Sequence, residues 1–197
     1  MRIIDISQEL FSCAVFPGDE PPVRRILSTI ESGSMCNLTG FSMCAHNGTH
    51  VDAPYHFYKE GKTIEKMALS AFVGKCYVAQ AEGDIDEEKA AKILKKASDL
   101  DTEASKRILI GGDVTVTIEA ARVFSKAGLL LIGNESQTVG PIDAPAKVHY
   151  ELLGAEIVLL EGIRLKGVKE GVYLLNCAPL NLGMSDGAPC RAVLIEL

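Results

Sequence analysis

"RILIGGDVTVTIEAARVFSKAGLLLIG", Arg107 to Gly133, reads as strand, helix, strand. The apolar run "RILIGG" ends on paired glycines, Thr117 to Lys126 carries a helical pattern closed by Gly128, and "LLLIG" starts a second strand. Continuing downstream, Pro145 to Leu153 reads as a helix stopped by Gly154, "EIVLLEG" as a third strand, and "GVYLLNCAPL" and "RAVLIEL" as two more. Upstream, "FVGKCYVAQ" is a strand, and Asp86 to Leu100 is an amphipathic helix with Ala90, Ile93, Leu94 and Ala97 on its inner face. "RIIDIS" and "RRILSTI" are short strands. Cys36 to His46 alternates, with Ser42, Cys44 and His46 on one side and Phe41, Met43 and Ala45 on the other. A strand-rich first half and an alternating second half, with no repeat, linker or low-complexity segment, predict one α/β domain over residues 1–197 with a mixed β-sheet.

The composition excludes several function classes. The longest apolar runs stop far short of the ~20 residues a membrane span needs. The start, "MRIIDISQEL", lacks the apolar stretch and small-residue cleavage site of a secretory signal. Six cysteines, at 13, 36, 44, 76, 177 and 190, form no CxxC pair, so reduced thiols and a cytoplasmic location are expected. A net charge of −6, no basic run and no Trp argue against a nucleic-acid partner. A small-molecule substrate is the partner expected.

Three of the four histidines fall in "CAHNGTHVDAPYHF", Cys44 to Phe57. His46 and His50 are four apart, a helical spacing for a metal pair, but Asn47-Gly48 is a turn, Thr49 and Val51 are β-branched, and Pro54 disfavours helix at Ala53. An extended segment follows, in which His50 and Asp52 project to one side, His46 reaches it across the Gly48 bend, and His56 arrives after the Pro54 turn. Imidazoles and a carboxylate removed from water need partners, and a divalent cation satisfies both. His46, His50 and Asp52 form the ligand set, suited to Zn²⁺ first and Mn²⁺ second. A hydrogen-bonded cluster without metal is the plainer alternative. Cys44, on the His46 side, reads as a small buried hydrophobe.

"HNGTHVDAPYHF" resembles the HxGTHxDxPxHF signature of the cyclase-like metal-dependent hydrolases, a family that includes bacterial kynurenine formamidases and isatin hydrolases. "DISQEL", "FPGD", "IEKM", "FVGK", "VHYELLGAEIVLLEGI" and "CAPLNLGMSDGAPCRAVL" resemble family segments in the family's order. The resemblance implies a swivelling β/β/α architecture, His46 and His50 as ligands of a first metal, Asp52 as a carboxylate shared by two, and His56 as the catalytic histidine. It further implies His149 as a ligand of a second metal, Glu161 as a bridging carboxylate, one or two ions per site, and a homodimer or higher homo-oligomer. Read alone, Glu161 is a charge closing the apolar run "IVLL", and His149 is a helix residue that would by default face solvent.

The implied reaction is hydrolysis of a formamide, amide or lactam, with water made acidic by the metal and His56 moving the proton. An aryl formamide, as in a kynurenine formamidase, is the leading substrate, and Phe16 is the residue expected against its ring. The formamidases carry Trp where this chain has Phe16. Their mid-chain strand ends differently from "RILIGGD", and Ser136 and Gln137 stand in the loop expected to face the site. Two rivals are a non-catalytic metal- or ligand-binding protein on the same scaffold and a cysteine hydrolase using Cys44 or Cys177. The glycines of "SDGAP" and "GGD" lack phosphate-loop spacing and read as turns.

Overall fold

A computed structural model describes residues 1–196; Leu197, the last residue of the expected strand "RAVLIEL", lies outside the described residues. The first half contains β1 (Ile3–Asp5), β2 (Val23–Ser28), β3 (Leu38–Ser42), β4 (His50–Asp52), α1 (Leu69–Phe72), β5 (Val73–Gln80), β6 (Gly83–Ile85) and α2 (Glu87–Leu100). The second half contains β7 (Arg107–Gly111), β8 (Val114–Val116), α3 (Ile118–Lys126), β9 (Leu131–Asn134), α4 (Ala146–Gly154), β10 (Val158–Glu161), β11 (Gly171–Asn176), β12 (Gly187–Pro189) and β13 (Val193–Ile195). One sheet takes nine of these strands in the order β1-β13-β11-β5-β7-β9-β10-β4-β12. Its centre, β5-β7-β9-β10, is parallel and its flanks are antiparallel, the mixed α/β sheet expected from the alternating pattern.

Two apolar layers sandwich this sheet, which is why β7, β9 and β10 are buried at every position. On one face Ile108, Ile110, Ile132 and Leu159 pack with Ala90 and Ala97 of α2, Phe124 of α3 and Leu152 of α4. On the other, Val78, Leu109, Leu131, Val158 and Leu160 meet Val51, Phe72, Leu175 and Leu194. Side-chain caps start the first two long helices: Asp86 accepts from the Lys89 N–H and Thr117 from the Ala120 N–H, so both helices begin where the sequence expects.

The strand expected over Cys36 to His46 stops at Ser42. Asn47 explains the break. Its Oδ1 accepts the Cys44 N–H at 2.9 Å while its own N–H donates to the Cys44 carbonyl at 3.2 Å, closing a turn that takes His46 out of the strand. The β2–β3 pair is a separate two-stranded ribbon, with Ile26, Leu27, Leu38 and Phe41 exposed. "SDGAP", expected as a turn only, contributes β12, an edge strand antiparallel to β4, where Pro189 is tolerated because a strand at the sheet edge can spare a donor.

Phe124 is fully buried between the helical layer and the sheet. Truncating it, Phe124→Ala, is expected to cost ~3–5 kcal/mol in urea unfolding through lost transfer energy and a cavity; a loss under ~1 kcal/mol would show that this layer is not packed as described.

Candidate metal centre

β4 lies between β10 and β12, with His50 opposite Glu161 on one side and Asp52 opposite Gly187 on the other. Period two sends His50 and Asp52 to the same face, and the antiparallel register brings Glu161 to it from the neighbouring strand. His46 arrives from the turn before β4, where Gly48 adopts φ +66°, a conformation natural to glycine, and where a Cβ would lie 2.9 Å from the Cys13 Cβ. His56 follows from the short helical turn opened by Pro54. His149 comes from α4, whose inner face packs on the sheet, so the residue is buried rather than solvated.

The distances describe one connected cluster. His50 Nε2 is 3.4 Å from Asp52 Oδ1 and 3.4 Å from Glu161 Oε2; His149 Nε2 is 3.3 Å from Glu161 Oε1 and 3.6 Å from Asp52 Oδ2. His46 Nδ1 is 2.8 Å from Asp52 Oδ1. The outer nitrogens of two rings are already committed. His50 Nδ1–H donates to the Gly48 carbonyl at 3.0 Å and His149 Nδ1–H to the Pro145 carbonyl at 3.0 Å, which leaves both Nε2 lone pairs facing the carboxylates, the tautomer a metal-ligating histidine requires. Glu161 is further held by the Val139 N–H at 2.8 Å.

Two sets of three donors, His46-His50-Asp52 and Asp52-His149-Glu161, each have ligand atoms within 4.8 Å of one another. Asp52 belongs to both. Nitrogen and carboxylate donors in this proportion, with the imidazoles oriented by backbone carbonyls, fit a pair of divalent cations sharing Asp52. The electrostatics agree. Burial would lower the His46 pKa, but the Asp52 charge and hydrogen bonds to Asp186 and Asp52 raise it to about 11. Burial likewise opposes charge on His50 and His149, and their bonds to Asp52 and Glu161 outweigh it, raising them to about 9 and about 10. Burial pushes Asp52 and Glu161 up, and the facing imidazoles pull both below the ordinary carboxylate range. Without a metal, protons hold these carboxylates together.

Phe16 and Asp19 join the cluster residues, Phe57, Gln137, Thr138 and Pro145 around a cavity of about 230 Å³. Every site residue expected from the sequence therefore lines or enters one volume, with His46, His50, Asp52, His149 and Glu161 as its floor. Two contributors were not legible. Thr138 is buried, and its Oγ1 and both amide atoms of Gln137 have no hydrogen-bond partner among the described residues. Asp186, from "SDGAP", accepts on Oδ2 from His46 Nε2 at 2.8 Å and from His56 Nδ1 at 3.0 Å; these bonds hold its carboxyl well below the usual range. The signal available was an acid immediately before a glycine in a segment expected to turn.

The thiols stand apart from this chemistry. Cys44 Sγ donates to Asp19 Oδ2 at 3.7 Å, and buried Cys177 donates to the Phe72 carbonyl, its pKa raised well above the ordinary value by burial. A thiolate nucleophile is disfavoured at Cys177.

The Cyclase family model matches residues 4–118 of this sequence. The chain belongs to the Cyclase family. Relatives include kynurenine formamidase of Bacillus cytotoxicus, 32% identical over 98% of this chain and 97% of the relative, and kynurenine formamidase of Salinibacter ruber, 32% identical over the same shares. Among solved structures, a potential metal-dependent hydrolase with cyclase activity superposes with a TM-score of 0.80 at 25% identity, covering 98% of this chain and 96% of the other. Isatin hydrolase A from Labrenzia aggregata shares the fold, with a TM-score of 0.80 at 20% identity over 98% of this chain and 93% of its own. This nearly full-length coverage extends the Cyclase fold over both halves of the chain.

Raised imidazole pKa values stabilise the metal-free fold fully below about 6.5, and that contribution is lost as pH rises through about 9 to 11. The thermal midpoint of metal-free protein should accordingly fall over that alkaline range, and a divalent cation added near neutral pH should displace protons, read by calorimetry in buffers of differing ionisation heat. A flat stability profile with no proton release would contradict the assignment.

Proposed function

We propose that this chain is a metal-dependent hydrolase that cleaves the C–N bond of a formamide, amide or lactam, the whole length acting as one domain whose main sheet draws strands from Ile3 to Ile195. The observation that carries this reading is the convergence of three oriented imidazoles and two buried carboxylates on the floor of a small cavity. His46, His50 and Asp52 would hold one cation, and Asp52, His149 and Glu161 a second. In the first set two imidazoles outnumber one carboxylate, which favours Zn²⁺ over Mn²⁺ there, while the second set has one imidazole and two carboxylates. A bound divalent cation supplies Lewis acidity, polarising a carbonyl and making water acidic enough to attack near neutral pH.

The remaining work falls to this chain's own side chains. His56 sits on the cavity wall, where it takes a proton from the attacking water and delivers it to the departing nitrogen. The water oxygen bonds to the carbonyl carbon, the C–N bond breaks, and the products are an amine and a carboxylic acid. Gln137 and Thr138 offer buried hydrogen-bonding atoms without partners among the described residues on the same wall, and such groups select substrates that can pair with them. Phe16 and Phe57 supply apolar faces suited to an aryl ring. With two relatives named kynurenine formamidase at 32% identity, an aryl formamide such as N-formylkynurenine is the leading substrate. Six free cysteines suit the reducing conditions of the cytoplasm.

His56→Ala should retain bound metal by elemental analysis and lose ~10²–10⁴-fold in kcat on an aryl formamide, whereas Asp52→Ala should lose metal and activity together. Metal binding without turnover by the parent protein across formamides, amides, esters and lactams would instead favour a binding protein on this scaffold. A second copy of the chain is the proposed occupant of the apolar ribbon β2–β3, where Ile26, Leu27, Leu38 and Phe41 are exposed. Light scattering should then give at least twice the chain mass of 21.1 kDa, and a monomer would remove the homo-oligomer from the account.

A further inference from the structure

β12 begins at Gly187, directly opposite Asp52, and the Ala53 N–H donates to the Asp186 carbonyl at 2.8 Å. The backbone of Asp186 is thereby tied to the residue that precedes Pro54 and the turn bearing His56. One further contact fixes the other side: Ile64 N–H donates to the Ser185 carbonyl at 2.9 Å. Gly187 completes the seat, because a Cβ there would lie 2.7 Å from His46 Cε1. His46 can lie this close to the strand only because position 187 has no side chain.

We propose that Asp186 is a positioning residue, a single carboxylate oxygen that orients both His56 and His46. Its Oδ2 is 3.0 Å from His56 Nδ1 and 2.8 Å from His46 Nε2. A carboxylate only accepts, so both of those ring nitrogens carry the proton. Nε2 is then the nitrogen of His56 left to take and return a proton, whereas His46 also meets Asp52 Oδ1 through Nδ1 at 2.8 Å and donates from both ring nitrogens when no metal is bound. The arrangement repeats, on a carboxylate, what the Gly48 and Pro145 carbonyls do for His50 and His149. Among the described residues His56 makes no other side-chain hydrogen bond, and its ring lies 4.1 Å from that of His46, tilted by 30°, so Asp186 supplies its orientation. General acid-base transfer depends on a fixed tautomer as much as on proximity, and outer partners of this kind typically influence activity by 10–100-fold.

This inference rests on the hydrolase reading for its kinetic arm but not for its spectroscopic one. Histidine ring ¹⁵N shifts, recorded on the protein as purified and after addition of Zn²⁺ and with His56 assigned by its disappearance in His56→Ala, report the tautomer directly. His56 should be protonated on Nδ1, and Asp186→Asn should abolish that preference; an Nε2–H His56 in the parent, or an unchanged spectrum in the variant, overturns the proposal whether or not the protein turns over. With turnover established, Asp186→Asn should lower kcat by ~10–100-fold with KM little changed, and acetate should restore part of the loss in Asp186→Ala but none in His56→Ala. A kcat within twofold of the parent, or a loss confined to KM, would equally overturn it.

Discussion

Two carboxylates buried side by side repel one another, and here the fold places Asp52 and Glu161 on adjacent strands of one sheet, each almost fully removed from water. Nothing apolar can compensate that charge. The structure answers with three imidazoles, and the way those rings are anchored shows what else fits. His50 and His149 spend their Nδ1 protons on backbone carbonyls and turn Nε2 inward. Protons and divalent cations compete for the same lone pairs, so the network that stabilises the metal-free fold is also a preorganised ligand set. The surrounding architecture fits this constraint: β4, held between β10 and β12, presents His50 and Asp52 on one face, and α4 packs on the sheet with a histidine inward.

The separation of roles between elements has a consistent logic. The proposed ligands on β4 and β10 sit on hydrogen-bonded strands, while His56, the proposed proton carrier, stands on a short turn and bonds to Asp186. The proposed recognition groups lie on connecting segments, Phe16 in the first and Gln137 and Thr138 in the segment after β9. Loops carry selectivity in such folds because they can change without disturbing the packed sheet beneath. Phe16 and the hydrogen-bonding atoms of Gln137 and Thr138 are where substrate preference would differ among relatives sharing the same floor.

Local chemistry made part of the site legible from sequence. The Asn47-Gly48 turn, the β-branched Thr49 and Val51, and Pro54 together exclude a helix, and period two then aligns His50 with Asp52. Helix starts at Asp86 and Thr117 were readable because their caps act within three residues. What escaped depends on contacts distant in sequence. The alternation from Cys36 to His46 looks like one strand until the Asn47 side chain captures the Cys44 N–H. His149 is an ordinary helix residue until α4 is laid on the sheet, and only family resemblance marked it. "SDGAP" consists of residues that favour turns, and its pairing with β4, which brings Asp186 to two histidines 130 and 140 positions away, is a property of the sheet edge rather than of the segment.

Anomalous diffraction from crystals of protein loaded with Zn²⁺ examines the shared-carboxylate centre most directly. The account expects density within ~2.0–2.2 Å of Asp52, in contact with the Nε2 atoms of His50 and, for a second ion, His149. Anomalous density away from Asp52 and Glu161, or a loaded crystal in which His50 and His149 have swung out of the cavity, would contradict it.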